Sequence, residues 1–368
     1  MYFLVHFSIK TLSAPKKILI IIQRSNGDVF LSLNLISELF SYYEKPQIDL
    51  LVNEDTFAVA KLLPKVSNIF TFSYRKKIDS RWKQEFSLIK GIYKKYDLSI
   101  SLTASDRSVL YALFASNYSI SSIEQDKRKS WWKKLLLNKH YHFDQDIHVF
   151  KNNLKPLELL NIKHHLNLQQ IQPSDTILKK TRRKLDKIGV KEFIIFHPSA
   201  QYNYKVYPKQ NRDALLSYFN NLGVAILITG SSSKIDLEIK LNLPLFSNIY
   251  DFIGETSLEE YISLSYLSRG YVGMDTLNMH IAASQNKRIF AIFGPTKLSI
   301  WSPWSNELNK AASKNSPLQT YGNISIFQAD LPCVACGLAG CNDKHLKSDC
   351  LDLISPKIIY NEVEKFLI

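Results

Sequence analysis

The feature that most constrains this chain is an alternation of two patterns that recurs in both halves. Short runs of β-branched and other apolar residues, KILIII (17–22), QIDLLV (47–52), NIFTF (68–72) and DLSISL (97–102), are separated by stretches in which apolar residues return every three or four positions, as in DVFLSLNLISELFSYY (28–43). The second half repeats this with EFIIFH (192–197), VAILITG (224–230), YVGM (271–274) and RIFAIFG (288–294), and with helical patterns at about 208–222, 233–242, 257–268 and 276–286. Strands that are apolar along their length are buried on both faces, which predicts parallel sheets covered by helices. At 368 residues the chain exceeds one ordinary core, so the two α/β halves predict two Rossmann-like domains. The polar stretch NIKHHLNLQQIQPSDT (161–176) puts the boundary near 166–178. The expected division is an N-terminal domain over 1–170, a second over 171–354, and an amphipathic closing helix over 355–368 that begins at Ser-Pro.

No apolar run is long enough to span a membrane. The start, MYFLVHFSIKTLSAPKK, lacks the basic opening and long apolar region of a signal peptide and reads as an extension before the first strand of a cytosolic protein. The formal net charge of +14 bears on partners: nucleic acid, an anionic membrane surface or a phosphorylated substrate would each exploit it. The densest patch is KRKSWWKKLLLNK (127–139), with six basic residues and no acid. Its interleaved Trp131, Trp132 and Leu135–Leu137 give it an interfacial, amphipathic character. The alternative is a solvated helix whose tryptophans pack on the core. No recognition motif accompanies the charge, which argues against nucleic acid. The cysteines Cys333, Cys336, Cys341 and Cys350 follow a C-x2-C-x4-C-x8-C spacing. In a cytosolic chain that spacing could supply four thiolates to a structural zinc, or it could be a loop of reduced thiols.

Open parallel sheets bind ligands at the carboxyl ends of their strands, so the residues after each strand are the ones to read. After the first strand, Ser25-Asn26-Gly27 makes a tight turn and Asp28 opens a helix. An Asp there commonly caps the helix, and it can also be a catalytic carboxylate. Neither a G-x-G-x-x-G fingerprint nor a G-x-x-x-x-G-K-[ST] loop is present, which removes those dinucleotide and P-loop classes. HPSAQYNYKVYP (197–208) carries Lys205 in a loop above strand ends, where a lysine can meet a diphosphate as a point charge. Thr229-Gly230-Ser231 is a small-residue turn whose amides could form an anion site. In GMDTLNMHIAAS (273–284), Asp275, Thr276 and Leu277 stand where a strand becomes a helix. The Thr276 hydroxyl and the first helical amides can reach phosphate oxygens. His280, just over one turn further on, faces either the same cleft or the core. No D-x-D pair is positioned as a metal clamp, so a diphosphate here would be neutralised by Lys205, helix dipoles and hydroxyls.

In this order the segments resemble the heptosyltransferases of lipopolysaccharide core assembly, glycosyltransferase family 9. The resemblance rests on Gly27-Asp28-Val29, on His197, Pro198, Ala200, Lys205, Tyr207 and Pro208, on FIGETSL (252–258), on Asp275, Thr276, His280, Ala282 and Ala283, and on FGPTKLSIWSP (293–303). The chain departs from the family pattern at Ser199 and Leu277, where the family has glycine. The resemblance implies a GT-B fold, with two Rossmann-like domains whose parallel sheets face a central cleft and a last helix that returns to the first domain. It implies an inverting transfer that needs no metal cofactor, from ADP-heptose to a phosphorylated, acidic lipid A–core acceptor. Asp28 would be the general base, and Lys205 and Thr276 would stabilise the departing diphosphate. Asp275 and His280 would bind the donor or hold the loop. The setting implied is cytoplasmic and peripheral to the inner membrane. Another nucleotide-sugar, or a degenerate member that only binds sugar-nucleotide or glycan, remain the alternatives.

Overall fold

The computed structural model describes residues 14–75, 78–344 and 346–368. The extension up to Ser13, and Lys76 and Lys77, lie outside the described residues. The chain divides into two units. One holds the residues up to Asp144 together with Phe150–His165, and the other holds Gln145–Val149 and Leu166–Ile368.

The first unit is built on six parallel strands, β1 (Lys17–Ile22), β2 (Gln47–Asn53), β3 (Asn68–Phe72), β4 (Leu98–Ser101), β5 (Ser119–Ile123) and β6 (Lys139–His142), in the order β3-β2-β1-β4-β5-β6. Ile18, Leu19, Ile20, Ile21 and Ile22 are fully buried. Each such side chain contributes roughly 1.5–3 kcal/mol relative to exposure, so β1 is fixed at the centre. Successive strands are added to one side of β1 and then to the other. The carboxyl end of β1 therefore lies at the switch point where such sheets bind ligands.

The second unit repeats the plan with β7 (Phe193–His197), β8 (Ala225–Gly230), β9 (Ile249–Ile253), β10 (Gly270–Met274), β11 (Arg288–Ile292), β12 (Leu318–Tyr321) and β13 (Ile324–Phe327). The order is β12-β13-β11-β10-β7-β8-β9, and only the β12–β13 pair is antiparallel. The switch point here lies between β7 and β10. At Gly273 the two strands approach so closely that a Cβ would run into the His197 carbonyl oxygen.

One expectation is corrected. The 28–43 pattern is not one helix: Asn26–Phe30 and Leu33–Tyr42 are separate. Ser32 Oγ donates to the Val29 carbonyl at 2.7 Å and competes with the helical ladder. The closing helix, Pro356–Leu367, lies in the second unit. Its Ile359, Tyr360 and Val363 join the core cluster of Phe196, Phe219 and Phe290. Tyr207 Oη anchors the approach to it by donating to the Ile354 carbonyl at 2.8 Å. No helix among the described residues is long and apolar enough to cross a membrane.

Candidate active site

In the first unit, Ser25 precedes the short helix that begins after β1, and Asp28 lies at its third position. Asp28 Oδ2 accepts from Ser25 N at 3.2 Å and from Ser25 Oγ at 2.7 Å. Arg24 Nε lies 2.9 Å from Oδ1. That approach is an ion pair rather than an aligned hydrogen bond, because Oδ1 has no hydrogen-bond partner by angle. The carboxylate is buried, and burial raises its pKa above the ordinary value. Arg24 and the two Ser25 contacts pull the other way without cancelling that effect. Asp28 is thus both a cap and a held carboxylate with unused lone pairs. Asn26 is half-buried, and its Oδ1 has no partner. Gly27 completes the turn.

Arg24 lies over the Phe143 ring, 4.7 Å from its centroid. Phe143 lines a cavity of about 330 Å³ together with Gln125, Tyr141, His142, Asp144, Lys155, Glu158 and Leu159. The cavity sits beyond the carboxyl ends of β5 and β6, so Arg24 connects it to Asp28. Sequence reading missed both. Arg24 stands next to the named turn, whereas the cavity is assembled from strands that the apolar pattern did not reveal.

In the second unit, Lys205 Nζ lies 3.1 Å from Asp275 Oδ2, which joins the loop after β7 to the turn after β10. Thr276 is the N-cap of the helix Leu277–Ser284, yet its hydroxyl makes no capping bond and stands 3.5 Å from Tyr271 Oη. Met279 N donates to the Thr276 carbonyl at 3.2 Å, but the amides of Leu277 and Asn278 precede any intrahelical acceptor, so this end offers donors and a positive dipole beside Lys205. Leu277 occupies the first helical position with no positive φ. The absence of glycine therefore imposes no backbone strain there. His280 is buried, and its Nδ1 has no partner. Burial lowers its pKa to about 4, with Asp275 opposing and Lys205 adding to that shift. It is a neutral imidazole at neutral pH.

The turn after β8 differs from the expected open anion site. Ser231 N and Oγ donate to Asp236 Oδ2 at 2.9 and 2.5 Å, and Ser233 Oγ donates to the same oxygen at 2.9 Å. An internal carboxylate already fills this turn, and its charge opposes a phosphate. Gly230 is small because a Cβ would press on Asp236. Thr229 Oγ1 lies 3.1 Å from His197 Nδ1, and Asn278 Nδ2 lies 3.1 and 3.3 Å from the two ring nitrogens of His197. Thr229, Gly230 and Ser231 thus brace the site from behind. Burial lowers the pKa of His197, while Asp236 and Thr229 oppose this. Asn278 and Asp236 were not identified from the sequence.

Cys333, Cys336 and Cys341 are exposed and Cys350 is buried. Among the described residues no group of three or more His, Cys, Asp or Glu is arranged to hold an ion. Burial, and secondarily the neighbouring Cys341, Cys336 and Cys333, push the Cys350 thiol up to about 12. The thiols are near one another, but the zinc expectation finds no ligand geometry here.

The sequence model of glycosyltransferase family 9 (heptosyltransferase) matches residues 85–328. Lipopolysaccharide heptosyltransferase 3 of Escherichia coli is 25% identical over 292 residues, covering 77% of this chain and 85% of that protein. A glycosyl transferase family 9 structure from Veillonella parvula superposes with a TM-score of 0.74 at 16% identity, covering 96% of this chain and 97% of that one. The E. coli ADP-heptose lipopolysaccharide heptosyltransferase II does so with a TM-score of 0.71 at 20% identity, covering 95% and 98%. The two successive doubly wound units are those of a GT-B fold.

Proposed function

The chain belongs to glycosyltransferase family 9, the heptosyltransferase family, and from that premise we propose that it transfers a heptose from ADP-heptose to an inner-core sugar of lipopolysaccharide, on the cytoplasmic side, with inversion and without a metal. The observation that carries the reading is the pairing of Lys205 with Asp275 beside the uncapped start of the Leu277–Ser284 helix. A lysine, a threonine hydroxyl that makes no capping bond and helical amides make a receptor for a diphosphate.

The chemistry follows from these groups. An acceptor hydroxyl oxygen attacks the anomeric carbon while the bond from that carbon to the diphosphate oxygen breaks. Asp28 takes the hydroxyl proton, a role worth on the order of 10²–10⁴-fold in rate. Its raised pKa favours accepting a proton. Negative charge builds on the leaving diphosphate, where Lys205, Thr276 and the helix N-terminus stabilise it. Neutral His280 adds no competing charge beneath Asp275, and Asp275 is free to accept from sugar hydroxyls once the diphosphate takes Lys205. The cavity beside Arg24 and Phe143 supports an acceptor-binding role for the first unit.

The test is incubation of the purified protein with ADP-heptose and a heptose-deficient core acceptor, with ADP release and product mass followed together. Heptosylated product with the inverted linkage supports the proposal. Transfer only from a UDP- or GDP-sugar would keep the mechanism and replace the donor. Nucleotide binding without transfer to any core acceptor would leave a sugar-nucleotide-binding protein.

A further inference from the structure

The basic, tryptophan-containing segment remains unused by the transfer chemistry. In the first sheet, the crossovers β3 to β4, β4 to β5 and β5 to β6 all run in one direction across the sheet. Right-handed crossovers therefore put the helices Ile78–Ile92, Asp106–Ala115 and Lys127–Leu136 on the same face. Side chains tie them into one layer. Tyr111 Oη donates to Glu85 Oε1 at 2.7 Å, and Lys133 Nζ lies 2.7 Å from Asp106 Oδ1.

The outer surface of this layer is inverted with respect to an ordinary solvent face. Each helix presents outward a pair of large apolar side chains four residues apart: Trp82 and Phe86 (72% and 73% exposed), Leu110 and Phe114 (39% and 37%), and Trp131 and Leu135 (64% each). Such spacing puts each pair on one stripe. Trp132 instead packs against Val109, Ile123 and Leu137, so only one of the two adjacent tryptophans is a core residue.

The exposed charge around these stripes is mostly positive. Lys83, Lys90, Lys127, Arg128, Lys129 and Lys134 are exposed. Among the described acids of the layer, Glu85 accepts from Tyr111 and pairs with Arg107, the exposed Asp126 accepts from Arg128 N through Oδ1 at 2.9 Å, and the exposed Asp106 and partly buried Glu124 are both held by Lys133, which is fully buried. Apolar stripes with tryptophans, rimmed by unneutralised cations, are complementary to the headgroup region of an anionic bilayer.

We infer that the outer face of these three helices is a docking surface for an anionic phospholipid bilayer, with Trp82, Phe86, Trp131 and Leu135 entering the interface. The contact is superficial, since none of the helices is long and apolar enough to span. Its attraction has a screened electrostatic part and an apolar part that salt does not remove.

The test is flotation of the full chain with vesicles of phosphatidylcholine alone or mixed with phosphatidylglycerol, for the wild type and the variants Trp82→Ala/Phe86→Ala and Trp131→Ala/Leu135→Ala. Wild type floats with the mixed vesicles and less so as salt rises, and each double variant partitions about tenfold more weakly or worse. Because these side chains are exposed, the variants keep wild-type thermal midpoints and wild-type transfer to a soluble, delipidated acceptor. Vesicle binding needs neither donor nor acceptor, so it stands or falls apart from the proposed transfer. Wild type that stays in solution with mixed vesicles overturns the inference, as do variants that float like wild type. Wild type that self-associates through this face, with the variants monomeric and no vesicle binding, assigns the surface to a second copy of the chain instead.

Discussion

Lys205 and Asp275, seventy positions apart in sequence, meet as a partly buried ion pair with an Nζ–Oδ2 distance of 3.1 Å at the start of the Leu277–Ser284 helix. In the absence of donor the carboxylate is the counter-ion of the lysine. A diphosphate that takes the lysine must displace it.

This competition gives opposite signs for two substitutions. Lys205→Ala removes a charge-assisted contact and weakens ADP binding by about tenfold or more, ~1.4 kcal/mol per decade. Asp275→Asn removes both the competitor and a repelling charge, so ADP binds at least as tightly as to wild type. Isothermal titration of the two variants checks this. Weakened ADP binding in Asp275→Asn would mean that the carboxylate does not compete with the nucleotide.

His280 links the same site to acid stability. Its pKa in the folded protein is about 4, against an ordinary value of 6.5. Between these values the unfolded chain binds the proton more readily, so stability falls as pH drops from 6.5 to 4, by on the order of 3 kcal/mol in total. His280→Gln has no such proton to bind, and its unfolding midpoint declines less steeply across that window. Parallel denaturant titrations at several pH values measure the difference; equal slopes would refute it.

Arg24 sets the working range of Asp28. Burial raises the Asp28 pKa, and Arg24 is the largest influence holding it down. Removing that charge in Arg24→Gln raises the Asp28 pKa further, so the acid limb of the kcat profile moves to higher pH. Activity at alkaline pH is retained better than at neutral pH. An acid limb that does not move would show that Asp28 and Arg24 are not coupled during turnover.

Gly273 is required by the spacing of β7 and β10. Gly273→Ala drives a methyl group into the His197 carbonyl and the Tyr271 ring, which separates the strands that carry both halves of the donor site. A loss of about 1–3 kcal/mol in stability is expected, accompanied by weaker ADP binding. A variant with wild-type stability would mean that the strands part at no cost.

The sequence made the central strands legible because β1, β7, β8 and β11 are nearly unbroken apolar runs. It concealed β5, SISSI, because serines stand where apolar residues are expected on a buried strand. Ser121 Oγ satisfies itself by donating to the Ser122 carbonyl at 2.8 Å, so a polar side chain can stand on this buried strand. Strand β6, KHYH, shows no alternation at all. The residues after each strand could be named from the general rule that ligands bind there. Their partners could not: that Ser231 is tied to Asp236, and that Asn278 lies against His197, depends on contacts between loops. The closing helix read correctly as a helix. That Ile359, Tyr360 and Val363 join the cluster of Phe196, Phe219 and Phe290 is recorded by no local pattern.

The most direct test of the account is Asp28→Asn, with the transfer rate and ADP affinity measured on the same preparation. The account predicts a fall in kcat on the order of 10²-fold or more, with ADP affinity unchanged and a thermal midpoint at neutral pH no lower than wild type, since burial disfavours the carboxylate it replaces. A variant that folds, binds ADP and transfers sugar at the wild-type rate would contradict the assignment of Asp28 as the base.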